Sequence, residues 1–290
     1  MTYGGFQWES GRDPMRDVTI ACICMHSEVG EVERNLTRIN RFIDRAVSEG
    51  AEIVCFPELS VSGYLLRAPD TIYDESYSQE IISRVQEMAK QKGVVLLAGL
   101  VEIKQPGKPY IAQVVAGPKG PLGIYRKTHL SPMEQGVFQP GHEIPVFEYE
   151  GVVFGVQLCW EAHFPEISTI MALKGAEVLF MPHASPRTGP QEKLESWLRH
   201  MKSRAFDNAV YVAACNQVGK TREGYVFPGV AVIIDPAGRV IAQRGQKRES
   251  IVLATLEAAK TEEIKKSNIK YFLPNRRPEL YRALLKKKPY

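Results

Sequence analysis

The sequence predicts a single-domain α/β protein in which mixed β-sheets are covered by helices. Residues 94–101 form an almost wholly apolar strand, and such a strand must be buried on both faces. Helical and strand patterns alternate near the beginning of the chain, whereas Pro- and Gly-containing turns separate strands further on, which favours antiparallel pairing there. No linker, repeat or break in composition divides the 290 residues, and single α/β domains of more than roughly 200 residues are common.

The first third of the chain predicts a β-α-β unit followed by a helix and a strand. Residues 18–25 and 53–56 are short apolar runs that are typical of buried strands. The helix between them is predicted from apolar residues at helical spacing, which are Leu36, Ile39, Ile43, Ala46 and Val47. A second helical pattern over residues 81–89 ends at Gly93 and leads into the strand at 94–101.

The rest of the chain predicts more strands than helices. Strands are expected at residues 111–116, 122–125, 152–158, 178–181, 210–214, 230–234 and 251–256. Helices are expected at residues 165–173 and 192–208, and a Glu/Lys-rich helical stretch follows the last of these strands. The sequence DPAG at residues 235–238 predicts a hairpin turn into a strand that begins at Val240.

The composition argues against several function classes. The 37 Lys and Arg residues exceed the 33 Asp and Glu residues by only four and are spread along the chain, so nucleic-acid binding is not indicated. No apolar stretch approaches 20 residues and no signal-peptide pattern is present, which predicts neither a membrane partner nor secretion. Four of the five cysteines fall within apolar runs, as buried free thiols do, and a cytoplasmic location is therefore expected.

The two ends of the chain differ from its middle. Residues 1–16 lack an apolar period and are predicted to be an N-terminal extension, and residues 17–282 are predicted to form the domain. Residues 283–290 form a basic C-terminal tail, which a solvated surface segment explains better than a phosphate-binding or membrane-binding patch.

Three segments share one layout, in which an apolar strand ends abruptly in an ionisable residue. Glu58 follows the strand at 53–56, Lys127 follows the strand that begins at residue 122, and Cys159 follows the strand at 152–158. Ligands bind at the carboxyl ends of strands in open α/β sheets, so all three are functional candidates. Taken alone, Glu58 and Lys127 are better explained as solvated loop residues, and Cys159 is equally compatible with a packed thiol.

The surroundings of Cys159 suggest a reactive thiol. A helix is predicted to begin at Pro165, and a thiol near a helix N-terminus and a lysine can be held as the nucleophilic thiolate. His163 lies only four residues on, which is typical of a local contact more than of a separate base. No CxxC or HExxH element and no glycine-rich phosphate loop is present, so neither a metal nor a cofactor is expected.

Read together and in this order, the segments FPELSVSGY, YRKTHL and GVQLCWEAHFPE closely resemble the nitrilase superfamily, also called carbon–nitrogen hydrolases. The resemblance runs from about residue 18 to residue 281 and includes SRAFDNAVYVAACNQVG, DPAGRVIA and RRPELY. It implies a four-layer α-β-β-α sandwich and a catalytic triad of Glu58, Lys127 and Cys159. It also implies that Glu134 orients the lysine and that the chain forms a homodimer or a larger homo-oligomer.

The resemblance implies hydrolysis of a non-peptide C–N bond in a small-molecule substrate. Glu58 is then the proton carrier, Cys159 forms a thioester, and Lys127 with a backbone N–H near Trp160 stabilises the oxyanion. The compact length and the RRPELY ending favour an amide or N-carbamoyl amine, whereas the CWE sequence is similar to that of nitrilases, so a nitrile stays an alternative. A catalytically silent scaffold on the same fold is the alternative from another class.

Four further residues are candidates for substrate binding, namely Tyr64, Glu161, His183 and Arg187. Arg187 would pair with a substrate carboxylate, although a solvated loop arginine explains its position slightly better. Ala231 departs from the family, since many relatives carry serine in the strand before the DPAG turn, and the resemblance therefore predicts that a buried hydrogen bond is missing here.

Overall fold

Two six-stranded mixed sheets form the centre of the computed structural model, which describes residues 15–64, 74–104, 107–187 and 189–285. The strands of the first sheet are β1 (Val18–Cys24), β2 (Ile53–Cys55), β3 (Val95–Glu102), β4 (Tyr110–Gly117), β5 (Gly120–Arg126) and β14 (Ser250–Leu256). Their order across the sheet is β14-β1-β2-β3-β4-β5. The pairs β1–β2 and β2–β3 are parallel and the others are antiparallel.

The second sheet has the same mixture of parallel and antiparallel pairs. Its strands are β6 (Val146–Tyr149), β7 (Val152–Val156), β8 (Val178–His183), β9 (Tyr211–Asn216), β12 (Val230–Ile234) and β13 (Val240–Gly245). They are arranged in the order β13-β12-β9-β8-β7-β6, with β7, β8 and β9 parallel to one another. The short strands β10 (Val218–Lys220) and β11 (Val226–Pro228) pair separately.

The described helices are α1 (Val32–Ser48), α2 (Glu75–Lys92), α3 (Pro165–Leu173), α4 (Pro190–Asn208) and α5 (Ala258–Lys265). Asp74 caps α2, since its Oδ1 accepts a hydrogen bond of 2.8 Å from the Tyr77 N–H, and Gly93 ends the helix at φ 68°. The apolar stripe of α1 differs slightly from the prediction, because Phe42 is buried and Val47 is 38% exposed.

Helices α1 and α2 pack on the outer face of the first sheet, and α3 and α4 pack on the outer face of the second. The inner faces of the two sheets contact each other through β1, β9, β12 and β14. Apolar residues fill both the space between the sheets and the space beneath the outer helices. The predicted four-layer α-β-β-α sandwich is therefore confirmed.

The predicted boundaries need correction at several points. The strand expected to reach residue 158 ends at Val156. Strands β6, β10 and β11 were not predicted, because none is a continuous apolar run like the short strand β2. Met15 is 1% exposed and Arg16 pairs with Glu52 at 2.7 Å, so the packed structure begins before residue 17. The segment expected to be a tail from residue 283 begins inside a 3-10 helix, Pro278–Leu285.

Among the helices that the structure describes, none combines the length and the apolar character needed to cross a membrane. Of the five cysteines, Cys22, Cys24, Cys55 and Cys215 are buried in the core, as expected, whereas Cys159 is partly exposed. Ala231 lies fully buried in β12, opposite Cys215 of β9.

Candidate active site

The residues that follow β2, β5 and β7 meet in one place between the sheets. Lys127 is fully buried, and its Nζ donates hydrogen bonds of 2.8 Å to Glu58 Oε1 and of 2.8 Å to Glu134 Oε1. Glu58 and Glu134 are also buried. Cys159 lies within electrostatic range of this group, because Glu58, Lys127 and Glu134 all act on the pKa of its thiol. The structure thus brings together the four residues that sequence reasoning singled out.

Backbone amides hold the second oxygen of each carboxylate. Glu58 Oε2 accepts a hydrogen bond of 2.9 Å from the Ala184 N–H, and Glu134 Oε2 accepts one of 2.7 Å from the Ser131 N–H. The backbone carbonyl of Glu58 accepts a further bond of 2.8 Å from Gln217 Nε2. The two carboxylates are therefore fixed in orientation before any substrate arrives.

The backbone is strained at Cys159 and at Leu59, which follows Glu58. Cys159 has φ 47° and Leu59 has φ 55°, and a non-glycine residue in this left-handed region costs about 1–3 kcal/mol. The loop that carries Glu58 also packs tightly on β3, because a Cβ added at Gly99 would lie 2.3 Å from the Leu59 nitrogen. Strain of this kind persists where the surrounding structure fixes the side chains in one orientation.

The pKa of the Cys159 thiol is raised, although the sequence suggested surroundings that can hold a thiolate. Burial raises this pKa to about 12, and the Glu58 and Glu134 carboxylates raise it while Lys127 and Lys193 oppose them. A thiol of this kind is protonated at neutral pH. It therefore needs a base that removes its proton at the moment of attack.

Glu58 is suited to be that base. Burial and the nearby Glu134 carboxylate raise the pKa of Glu58, and Lys127 limits the rise. Burial alone would lower the pKa of Lys127, but Glu58, Cys159 and Glu134 outweigh it and hold this pKa well above the ordinary value. Lys127 is thus a fixed positive charge, and Glu58 is the group that can take up and release a proton.

Glu161 does not line the site as expected for a substrate-binding residue. Its carboxylate is fully buried, and the Tyr125 hydroxyl lies 2.8 Å from each of its oxygens and shares one proton between them. Oε1 also accepts bonds of 2.7 Å from the Thr128 N–H and 2.6 Å from the Thr128 hydroxyl, and Oε2 accepts one of 2.7 Å from the Leu158 N–H. Glu161 therefore connects the residue after Lys127 with the residue before Cys159.

Tyr64 and His183 lie next to the central group. Tyr64 is 3% exposed, and its pKa is raised first by burial and then by the charges of Glu58 and Cys159. His183 is 2% exposed, and its Nδ1 lies 2.7 Å from the Met181 carbonyl oxygen. Burial and the nearby Lys193 charge hold the pKa of His183 well below the ordinary value, so its ring is neutral.

Arg187 faces solvent, as expected for a solvated loop arginine. Its side chain is 45% exposed, and Nη1 lies 2.6 Å from Glu192 Oε1 in a surface ion pair. His163 is exposed as well, with its ring 5.5 Å from that of Trp160. Neither residue contacts Glu58, Lys127 or Cys159 in the described hydrogen bonds and ion pairs.

Sequence reasoning missed Lys193, a buried lysine on α4. It is 5% exposed, its Nζ donates a hydrogen bond to Ser185 Oγ, and it lies 5.7 Å from the centre of the Trp197 ring. The sequence gives no signal for it, because Lys193 is one of many charged residues on an amphipathic helix. Only the fold shows that it points inward.

Trp160 occupies the first turn of the 3-10 helix Cys159–His163. The first N–H groups of a helix have no partner within it, so the Trp160 N–H is available to a negatively charged oxygen beside Cys159. The Trp160 side chain is 39% exposed. A cavity of about 650 Å³ adjoins it and is also lined by Thr128, His129, Phe138 and Phe164.

Comparison with known proteins assigns the family. A sequence model of the carbon–nitrogen hydrolases matches residues 19–266. The chain belongs to this family. It is therefore a carbon–nitrogen hydrolase of the nitrilase superfamily that acts on non-peptide bonds, which sets aside the alternative of a catalytically silent scaffold.

Two relatives and one solved structure illustrate the range of this family. The carbon–nitrogen hydrolase is 32% identical to a 2-oxoglutaramate amidase of Bacillus subtilis, a match that covers 86% of this chain and 94% of the relative. It is 31% identical to a probable nitrilase of Schizosaccharomyces pombe, with 92% and 98% covered. The fold matches the crystal structure of an amidase from Nesterenkonia sp. with a TM-score of 0.80 at 24% identity, covering 92% of this chain and 96% of that one.

Proposed function

We propose that this carbon–nitrogen hydrolase cleaves the C–N bond of a small amide or N-carbamoyl amine through a thioester on Cys159. One observation carries the proposal, which is the buried Lys127 ammonium held between Glu58 and Glu134 beside a partly exposed thiol. Burying three charged side chains is costly, and such a group is retained where its chemistry is used.

In the first half of the reaction, Glu58 accepts the proton of Cys159 as the sulfur attacks the substrate carbonyl carbon. The raised pKa of Glu58 supports this role, because it makes the carboxylate a stronger base than an ordinary glutamate. The carbonyl oxygen becomes negatively charged. Lys127 and the Trp160 N–H stabilise that charge, and the fixed ammonium needs no reorganisation to do so.

In the second half, the same carboxyl group serves twice more. Glu58 gives its proton to the departing nitrogen, so that ammonia or an amine leaves and the acyl group stays on the sulfur. It then removes a proton from a water molecule that attacks the thioester, and the thiol is regenerated with release of the acid. Since Lys127 never exchanges its proton, the charge that stabilises the oxyanion is the same in both halves.

We favour an amide or N-carbamoyl amine over a nitrile. The groups of the site serve either reaction, since both release a nitrogen that a carboxyl group of raised pKa can protonate, and the preference comes from the relatives. The 2-oxoglutaramate amidase of Bacillus subtilis is named for cleavage of an amide. A nitrile stays the second candidate, because the relative from Schizosaccharomyces pombe is named a probable nitrilase.

A substrate panel tests this proposal. Release of ammonia and acid would be measured for aliphatic amides, N-carbamoyl amines, amino-acid amides and nitriles, with wild type and Cys159→Ala side by side. We expect one amide or carbamoyl class to be hydrolysed, and turnover to fall by at least roughly a thousandfold in the variant. Hydrolysis restricted to nitriles, or near-wild-type turnover by folded Cys159→Ala, would contradict the proposal.

A further inference from the structure

We propose that Lys193 determines specificity by binding a carboxylate on the substrate, so that the preferred substrates are small amides that carry a negative charge at the end remote from the scissile bond. This inference rests on the proposed function and adds the substrate class to it. It assigns to Lys193 the interaction that the sequence suggested for Arg187.

Lys193 is buried, and none of the described residues is its counter-ion. Its side chain is 5% exposed, and the partner that the structure describes for Nζ is the neutral hydroxyl of Ser185. No carboxylate of a described residue forms an ion pair with it. Lys127, the other deeply buried lysine, contacts two carboxylates. A buried ammonium without a negative partner is costly, and an arriving anion removes that cost.

Lys193 is connected to the segment that holds Glu58. Ser185, which accepts its hydrogen bond, is held on both sides by Asn216, with bonds of 2.9 Å to Asn216 Oδ1 and of 2.9 Å from Asn216 Nδ2. The preceding residue, Ala184, donates its N–H to Glu58 Oε2 at 2.9 Å. Lys193 is thus attached to the same short segment that holds the proposed base.

Charge interactions agree with this position. Burial lowers the pKa of Lys193, whereas an ionised Cys159 would raise it; of the neighbouring charges, Arg187 lowers this pKa and Glu192 raises it. The ammonium in turn acts to lower the pKa of the Cys159 thiol. These effects show that the Lys193 ammonium and the Cys159 thiol lie within electrostatic range of each other.

The nature of the ligand follows from the charges around this space. Lys127 is already neutralised by Glu58 and Glu134, so the developing oxyanion is its partner during the reaction. Among the described residues Lys193 forms no ion pair, and Glu192, whose charge also raises its pKa, is paired with Arg187. The Lys193 ammonium can therefore attract a permanent negative charge. The ammonium has three N–H donors and its described contacts are the Ser185 hydroxyl and the Trp197 ring, so it can donate further hydrogen bonds to a carboxylate. A cationic amide would be repelled.

Three amides of similar length and different charge test the proposal. These are glutaramate with a carboxylate, hexanamide with an uncharged end and 5-aminopentanamide with an ammonium. We expect kcat/KM of the wild type to be roughly tenfold to a hundredfold higher for glutaramate than for hexanamide, and lowest for 5-aminopentanamide. Lys193→Met should remove this preference mainly through KM, and Lys193→Arg should keep part of it. Arg187→Met is the matched control on the surface and should keep all of it.

A binding measurement separates recognition from catalysis. In Cys159→Ala, glutaramate should raise Tm, and in the double variant Cys159→Ala/Lys193→Met it should not. Lys193→Met by itself should be at least as stable as wild type, because the variant removes a buried charge that has no described counter-ion.

The outcomes distinguish this inference from the proposed function. If glutaramate is not preferred, or if Lys193→Met slows all three amides by the same factor, the specificity role is wrong even though Cys159-dependent hydrolysis persists. If the wild type hydrolyses none of the amides or carbamoyl amines of either panel, the proposed function itself fails. A charge preference that is unchanged in folded Lys193→Met would likewise overturn the inference.

Discussion

Lys127 and Lys193 are both buried lysines near the same thiol, yet their surroundings differ. Lys127 lies between two carboxylates, each held by a backbone amide, whereas Lys193 contacts a serine hydroxyl. The paired lysine is part of a fixed cluster that exists before the substrate arrives. Lys193 has no described counter-ion, so its charge can bind an anion that arrives with the substrate. The comparison teaches that burial alone does not define the role of a charge, and that its partners do.

The sharpest contrast is expected between Lys127→Met and Lys193→Met. Lys127→Met should destabilise the protein by about 3–5 kcal/mol, because Glu58 and Glu134 would keep buried charges without a counter-ion. It should also lower kcat by roughly a hundredfold to a thousandfold by removing an oxyanion stabiliser. Denaturant unfolding and steady-state kinetics measure both effects. An equal loss of stability in the two variants would contradict the proposed difference between Lys127 and Lys193.

A smaller effect is expected from Glu161→Gln, which tests the connection between the two catalytic loops. Both carboxylate oxygens of Glu161 accept hydrogen bonds, so an amide NH2 would face an N–H donor on one side. Loss of about 1–3 kcal/mol of stability and a lower kcat should follow, with KM for the substrate little changed. Exposed Glu166→Gln is the matched control. A large rise in KM with unchanged kcat would instead restore the substrate-binding role.

The pH dependence of kcat/KM tests which group carries the proton. Glu58 must be deprotonated to act as a base, and its pKa is raised above the ordinary 4.5, so activity should fall as pH drops through a value above 4.5. Because the Cys159 pKa is raised to about 12, no increase from thiol ionisation should appear between about pH 7 and 9. A rate that rises steadily over that interval would indicate that only a preformed thiolate reacts.

The smallest effect is expected from Arg187→Gln. The ion pair between Arg187 and Glu192 lies at the surface, and exposed pairs contribute about 0–1 kcal/mol. Stability should therefore change little, and kcat/KM for glutaramate should stay within about twofold of wild type. Loss of the preference for glutaramate in this variant would transfer the recognition role from Lys193 back to Arg187.

Much of the fold could be predicted because its strands are long and apolar. The β-α-β unit of β1, α1 and β2 and the hairpin of β12 and β13 follow from periodicity and turn residues. The stacking of two sheets came from the family resemblance. Strands β10 and β11 could not be found, because they are short and, unlike the equally short β2, contain glycine, lysine or proline and form no apolar run.

The candidate site divides in the same way. The ends of apolar strands made Glu58, Lys127 and Cys159 candidates, and the family resemblance identified them as a triad. The orientation of the Glu161 side chain towards Thr128 and Leu158 and the inward position of Lys193 depend on tertiary packing, which no short sequence pattern encodes. The pKa of Cys159 could not be judged from the sequence for the same reason, since burial, the main cause of its rise, is a property of the folded chain. Homo-oligomerisation and a cytoplasmic location stay predictions.

The central claim is that the reaction passes through an acyl group on Cys159, and the most direct measurement is the intact mass of the enzyme quenched during turnover of glutaramate. We expect a fraction of wild type to carry the mass of one acyl group, mapped by peptide analysis to Cys159, and no such species in Cys159→Ala. Rapid quenching that traps the adduct on another residue would contradict the claim. Full turnover by Cys159→Ala would contradict it as well.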